Sequence, residues 1–137
     1  MRKEQPEYTL QKQVCKYLNM QYPNVMYLSD TIAAVKLTFP QQARNKAIQK
    51  EGFKCPDLII LKPKITESNK MIYAGLFIEL KVKTPFKANG IELLSNQHIE
   101  AQAKTLHNLS QLGYYACFGW SFEQCKQIID NYLEGAY

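Results

Sequence analysis

Apolar residues near the two ends of the chain recur at helical spacing, whereas those in the middle alternate or run together as in strands. Four apolar residues near the N-terminus predict a helix from about residue 7 to residue 19; they are Leu10, Val14, Tyr17 and Leu18. A short strand is predicted over residues 24–28 (NVMYL). Pro40 suits the first turn of a further helix, and Gly52 suits the position after its end.

Two apolar segments in the middle of the chain predict neighbouring strands. Residues 58–61 (LIIL) and 71–82 are joined by the polar connection KPKITESNK, an arrangement typical of a β-hairpin with antiparallel strands. Within the second segment, in the stretch FIELKVK, Ile78, Leu80 and Val82 point to one face. The opposite face mixes aromatic, acidic and basic side chains: Phe77, Glu79, Lys81 and Lys83.

The last third of the chain predicts a helix, a strand and a helix. Ser95 is a suitable N-cap for a helix that ends before Gly113. Residues 114–119 (YYACFG) predict a buried strand, and Ser121 with Gln124 fits a capping box for the last helix. The order helix, strand, strand, strand, helix, strand, helix predicts a mixed sheet flanked by helices, in a single α/β domain over residues 1–137.

The composition agrees with a folded, single-domain protein. The chain has 137 residues, of which 46% are hydrophobic and 12% aromatic, and this argues against disorder. The N-terminus MRKEQPEYTL has no apolar region of a signal peptide, and no apolar run is long enough to cross a bilayer. We therefore expect a soluble, intracellular protein. The four cysteines form no CxxC pair, so buried free thiols are favoured over disulfides or a zinc site.

Positive charge is concentrated in the middle of the chain. Between Lys36 and Lys87 there are eleven basic and four acidic residues, although the whole chain carries only +5. This segment is a plausible footprint for a polyanion, and a solvated lysine-rich surface explains it equally well. Six of the lysines flank or follow the candidate acids described next and are candidates for phosphate contacts: Lys54, Lys62, Lys64, Lys83, Lys87 and Lys104.

Two acids of the predicted hairpin have the chemistry of a metal site. Asp57 follows a proline at the start of one strand, and Glu79 lies 22 positions later on its neighbour. Two carboxylates bind Mg²⁺ or Mn²⁺, and the carbonyl of Leu80 offers a further oxygen. Lys81 shares the face of Glu79 and is placed to orient a water molecule and offset negative charge at a phosphodiester. A turn acid and a surface ion pair are the alternative explanations.

These residues resemble the P-D…E-x-K motif of the PD-(D/E)XK nucleases, and most closely the VRR-NUC family. Glu7-Tyr-Thr-Leu10-Gln11 is similar to that family's E-x-x-L-Q, whose glutamate is an extra metal ligand. Ser95-Asn-Gln97 is similar to its S-x-Q, whose glutamine lies at the active site, and residues 109–116 are similar to its helix–glycine–strand step. Lys54 stands where the family usually has glycine, so the local loop differs.

The resemblance implies a restriction-endonuclease-like αβββαβ core and a metal-dependent DNA endonuclease that uses Mg²⁺ or Mn²⁺. It implies selectivity for branched DNA such as Holliday junctions, a homodimer, and the cytoplasm of a bacterium or phage-infected host. The expected catalytic residues are Asp57, Glu79, Lys81 and Gln97, and the expected metal ligands are Glu7, Asp57, Glu79 and Leu80. The alternatives are a flap or nonspecific duplex nuclease, and a noncatalytic nucleic-acid-binding module. His98 and His107 receive no role.

Overall fold

The molecule is built around a mixed β-sheet with helices on both faces. The computed structural model describes residues 6–29 and 36–135. The helices within these residues are α1 (Pro6–Gln21), α2 (Phe39–Ile48), α3 (Gln97–Gln111) and α4 (Phe122–Glu134). The strands are β1 (Tyr27–Ser29), β2 (Leu58–Ile60), β3 (Lys64–Ile65), β4 (Met71–Tyr73), β5 (Leu76–Leu80) and β6 (Tyr115–Gly119). The predicted fold class is confirmed; the helix predicted to start near Pro40 is α2, and the short strand β3 was not predicted.

Four of the strands form the central sheet, in the order β1-β2-β5-β6. β2 pairs antiparallel with β1 and with β5, and its register with β5 sets Leu58 opposite Ile78. β6 pairs parallel with β5, and such a connection needs a crossover segment, which α3 supplies. The predicted antiparallel pairing of the two central strands is therefore confirmed.

Alternation along β2 and β5 assigns the two faces of the sheet to different helices. Leu58, Ile60, Leu76 and Ile78 are fully buried and belong to one cluster with apolar residues of α1 and α4. Side chains that alternate with these point to the other face. There Glu79 contacts Gln102 of α3. The sheet thus separates an apolar core from a second face on which polar side chains are placed.

The predicted long strand over residues 71–82 is interrupted. Its first part is β4, which pairs with β3 in a separate two-stranded sheet, and its second part is β5 in the central sheet. The break lies at Gly75, where an added Cβ would come within 3.1 Å of the Ile60 carbonyl oxygen. The chain also leaves the sheet after Leu80, so Val82 is 46% exposed instead of being buried as the alternation predicts.

The helix ends follow the predicted chemistry with small shifts. The N-cap of α3 is Asn96, not Ser95, because its side chain accepts hydrogen bonds from the N–H groups of His98 and Ile99. Gly113 follows the end of α3 with φ +98°, as its predicted position requires. The Ser121 side chain caps α4, but the Gln124 side chain accepts the N–H of Trp120, so the capping box is only half formed.

Two further properties of the described chain bear on the sequence predictions. All four cysteines are free, as predicted, but only Cys125 is buried; Cys15 and Cys117 are half-buried and Cys55 is exposed. No helix among the described residues is long and apolar enough to cross a membrane.

Lys64, a predicted phosphate contact, instead closes the C-terminal end of α4. Its side chain is buried, and the ammonium donates to the carbonyl oxygens of Asn131, Tyr132 and Gly135 at 2.8–2.9 Å. The last carbonyls of a helix have no partner within the helix, so a buried cation satisfies them well. The structure therefore does not support a role for Lys64 in contacting phosphates.

We expect Lys64→Met to lower the free energy of unfolding by about 2–3 kcal/mol, because it leaves three carbonyls without their charged donor. Methionine keeps the apolar stem in place, so the loss reports on the ammonium. Urea denaturation measures the change, with Lys62→Met as the matched control on an exposed neighbouring lysine. Equal stability of the two variants would contradict this interpretation.

Asp130 joins α4 to α1 through hydrogen bonds that depend on its charge. It accepts from the hydroxyls of Tyr17 and Tyr22 and from the ammonium of Lys126. Burial acts to raise the pKa of Asp130, but the hydrogen bonds from Tyr17, Tyr22 and Lys126 outweigh it and lower the pKa below its ordinary value. The ionised carboxylate is therefore the form that stabilises this contact.

A lowered pKa in the folded state means that the stabilisation is complete above the unfolded pKa of about 3.9. It is lost as the pH falls through the lowered folded pKa. We expect Asp130→Asn to cost about 1–2 kcal/mol at pH 7 and to match the wild type in strong acid. Urea denaturation across the acid range measures this, and a constant difference down to the lowest pH would contradict it.

Candidate active site

A cavity of about 710 Å³ opens on the face of the sheet that carries α3. Its walls come from the first turn of α1, the end of β1, α2 with the segment that follows it, the start of β2, the end of β5 and the first half of α3. Four of the residues predicted to form the site line it together: Glu7, Asp57, Glu79 and Lys81. Residues far apart in sequence thus meet at one place.

The pairing of β2 with β5 brings the two strand acids together. Leu58 lies opposite Ile78, so extending this antiparallel register by one residue places Asp57 opposite Glu79. Directly opposite side chains on one face lie about 5 Å apart. Asp57 is held there because its Oδ2 accepts the N–H of Leu80 at 2.8 Å. The predicted convergence of the two acids therefore follows from the hairpin itself.

Glu79 is buried beside another acid, which disfavours its charge. Its side chain is only 6% exposed, and its Oε1 accepts a 2.7 Å hydrogen bond from Gln102. Burial raises the pKa of Glu79 well above its ordinary value, and the charge of Asp57 and a hydrogen bond with it raise it further. Lys81 lowers that pKa and Glu7 raises it, each by a smaller amount. The site thus disfavours the ionised form of Glu79 unless a cation lies beside it.

Gln102, not Gln97, is the glutamine of α3 that lines the cavity and bonds to Glu79. Gln97 is the exposed first residue of α3 and does not line the cavity, which corrects the position expected from the sequence. Gln102 is buried, and its Oε1 has no hydrogen-bond partner among the described residues. Its sequence position carried a usable signal: Gln102 precedes the buried Leu106 and Leu109 by four and seven residues, so a polar residue interrupts an apolar helical face.

Lys81 and Glu7 also line the cavity. Lys81 directly follows β5, where its N–H donates to the Gly119 carbonyl oxygen at 2.8 Å, and its side chain is half-buried. This anchor keeps Lys81 on the same face as Glu79, two residues earlier. Glu7 is exposed in the first turn of α1 and lines the cavity together with the half-buried Asp57 and the buried Glu79. Its charge acts on Glu79, as the pKa of that residue records.

The donor set fits a hard divalent cation that keeps part of its water shell. No three His, Cys, Asp or Glu side chains of the described residues are grouped so that they alone could hold a metal. Mg²⁺ usually takes one or two carboxylates and completes its shell with water and substrate oxygens. Asp57 and Glu79 are such a pair, and the unpaired Oε1 of Gln102 is a further acceptor beside them. The Leu80 carbonyl remains a predicted ligand.

The other predicted cations are distributed around the cavity. Lys54 lines it, with its N–H donating to Thr105 Oγ1 at 3.3 Å. The remaining exposed lysines lie outside its walls: Lys62, Lys83, Lys87 and Lys104. Lys87 forms an exposed ion pair with Glu92 at 3.2 Å. Phosphate contacts by Lys54 and by these four remain predictions.

Several residues that line the cavity carried no assignment in the sequence. Asn45 and Gln49 come from α2 and the residue after it, and Phe53 follows them. His98, which received no role, lines the cavity from the first turn of α3. Only the three-dimensional position of α2 and α3 reveals these residues, because none belongs to a motif with the acids.

Comparison with known proteins supports the architecture. The sequence matches no protein-family model and no curated protein sequence. The fold is similar to a solved structure described as a "VRR_NUC domain protein", with a TM-score of 0.59 and 20% sequence identity. The similarity covers 98% of this chain and 93% of that one. The chain therefore has the fold of that VRR_NUC domain protein over nearly its whole length.

Proposed function

We propose that this protein is a metal-dependent endonuclease that hydrolyses phosphodiester bonds in DNA. The observation that carries the proposal is the meeting of Asp57, Glu79 and Lys81 in one cavity, with Glu79 held by the buried Gln102. A structural ion pair does not need a second acid, Asp57, placed against the buried Glu79. The similarity to a VRR_NUC domain protein gives independent support.

The roles of the residues follow from their positions. Asp57 and Glu79 hold the divalent cation, and Glu7 lies at the edge of the cavity as a further carboxylate near it. Gln102 orients Glu79 through its hydrogen bond and keeps a second acceptor free for a water molecule or the cation. Lys81 orients the attacking water and stabilises the negative charge that develops on the phosphate. When bound, Mg²⁺ or Mn²⁺ polarises the phosphodiester and acidifies bound water.

The substrate that we propose is branched DNA, and the preferred substrate is a four-way junction, as the resemblance to stand-alone VRR-NUC nucleases implies. Resolving a junction needs two cuts related by symmetry, and one copy of this domain has one such cavity. A homodimer with isologous contacts supplies the second cut. Flap or nonspecific duplex cleavage is the alternative within the same activity.

Cleavage of labelled four-way junction, flap, duplex and single-stranded DNA tests this function. We expect cutting in Mg²⁺ or Mn²⁺, none in EDTA, and a junction-to-duplex rate ratio well above one. Equal rates on junction and duplex would leave a nuclease without structure selectivity. Binding of DNA without cutting in every metal would contradict the nuclease activity and favour a noncatalytic nucleic-acid-binding module. The rival module keeps the fold but has no need of both acids and Lys81 together.

A further inference from the structure

Helix α2 is held beside the cavity although it contributes nothing to the core. None of its side chains is buried. Its N-terminus is stabilised by local contacts: Thr38 and Gln41 form a complete capping box, and Pro40 occupies the first turn. A helix that buries no apolar face gains little from packing. Its position therefore suggests a role at the surface that it exposes.

One side of α2 forms a wall of the cavity. Asn45 and Gln49 lie four residues apart, which places them on the same side of the helix, and both line the cavity. Their side chains are joined by a 3.1 Å hydrogen bond from Gln49 to Asn45. Phe53 and Lys54 continue the same wall toward Asp57. A molecule that reaches the acids from this side must pass along α2.

The flanks of this wall are strongly basic. Arg44, Lys46 and Lys50 are exposed and lie beside the two residues that line the cavity. Glu51 is the single acid between residues 36 and 54, against five basic residues. The ion pairs between described residues join Lys87 to Glu92 and Lys126 to Asp130, so these three cations are not used in either pair. Their charge is available to a polyanion.

We propose that α2 is the phosphate-binding wall of the cavity, and that Arg44, Lys46 and Lys50 contact backbone phosphates of the strand that enters it. This inference rests on the proposed function. From Arg44 to the end of α2 at Ile48 the helix rises about 6 Å, and the chain from Ile48 to Lys50 spans at most about 7 Å more. A strand of duplex DNA carries one phosphate per about 3.4 Å of axis, so this span matches about two to four phosphates next to the one at Asp57 and Glu79. Asn45 and Gln49 face the strand between these contacts.

An anionic membrane surface would also attract a basic helix. The neighbouring cavity argues for nucleic acid, because its exposed apolar residues, Leu28 and Phe53, come from different elements and do not form the apolar helix face that inserts into lipid. The exposed Phe39 and Ile48 lie about 180° apart around α2, so they do not form one apolar face.

The test removes the three cations together and measures binding separately from cutting. In Arg44→Ala/Lys46→Ala/Lys50→Ala, alanine favours the helix, so α2 is expected to persist by circular dichroism. The control, Lys12→Ala/Lys16→Ala/Lys70→Ala, makes the same change in net charge with exposed lysines that do not line the cavity. Binding is followed by fluorescence anisotropy of a labelled four-way junction and a labelled duplex in EDTA over a range of salt.

The α2 variant is expected to bind on the order of tenfold or more weakly than the control variant. For the duplex, the logarithm of the association constant falls with the logarithm of the salt concentration. The magnitude of this slope should be smaller by about 2.7 for the α2 variant than for the control variant, which corresponds to three lost phosphate contacts. In Mg²⁺ its KM should rise, with kcat at saturation close to that of the wild type. Equal affinity and equal salt slope of the two variants would overturn the proposal.

Failure of the proposed function gives a different pattern. If the wild type binds DNA without cutting it, the proposed nuclease activity is contradicted. The comparison of DNA binding by the two variants still tests the role of α2. A wild type that binds no DNA, or that prefers anionic phospholipid vesicles through α2, overturns the phosphate-binding wall.

Discussion

Asp57→Asn is expected to lower kcat for DNA cleavage by on the order of 10³-fold or more, while the protein stays folded. Asparagine keeps an oxygen that accepts the 2.8 Å hydrogen bond from the Leu80 N–H. It removes one of the two charges that we propose hold the cation. The substitution therefore separates the charge of Asp57 from its contribution to the hairpin. Single-turnover cleavage of a four-way junction in Mg²⁺ measures the activity, and urea denaturation measures the stability.

The matched control is Asp130→Asn, which removes the charge of an acid that lies outside the cavity. Asp130 bonds to Tyr17, Tyr22 and Lys126, so its loss should lower stability and leave the cleavage rate of the folded protein unchanged. The two variants are thus expected to show opposite patterns. If the Asp57→Asn protein cuts at the wild-type rate, Asp57 is not a metal ligand and has only a structural role.

Sequence patterns predicted the parts of this site that depend on neighbouring strands. The pairing of β2 with β5 follows from two apolar segments and a polar connection, and their register then brings Asp57 to Glu79. No distant element is needed for this step. The position of Lys81, two residues after Glu79, is predicted by the same apolar segment. Local patterns were sufficient because the acids and the lysine lie on one hairpin.

The parts that depend on packing between distant elements were not predictable in the same way. Identifying Gln102 instead of Gln97 requires the rotation of α3 about its axis, which is fixed by packing on β6 and by the Asn96 cap. Lys64 appeared to be a surface lysine, since its partners at the end of α4 lie 67 to 71 residues later. The role of α2 is similarly hidden, because its sequence shows a helix but not which wall it forms.

A functional site often contains charges that destabilise the folded protein. Here burial and Asp57 raise the pKa of Glu79, so the metal-free protein gains stability if this carboxyl is made permanently neutral. A residue kept only for stability would behave in the opposite way. Stability and activity therefore provide independent readouts of whether Glu79 belongs to a metal site.

Glu79→Gln is expected to raise the free energy of unfolding at pH 7.5 without metal by at least about 1 kcal/mol and to lower kcat by on the order of 10³-fold. A raised folded pKa means that the stability of the wild type is complete below the unfolded pKa of about 4.3. It is lost as the pH rises toward the folded value. The advantage of the variant should thus be small near pH 4 and grow with pH. Glutamine keeps an acceptor for the 2.7 Å bond from Gln102.

Urea denaturation in EDTA across this pH range measures the first effect, and single-turnover cleavage in Mg²⁺ measures the second. Glu67→Gln is the matched control, since Glu67 is exposed in the turn between β3 and β4 and does not line the cavity. It should change neither quantity. Mg²⁺ should stabilise the wild type and have little effect on Glu79→Gln, because binding to the folded state alone raises its stability. A variant that is both less stable and fully active would make Glu79 a structural acid and remove the second ligand from the proposed site.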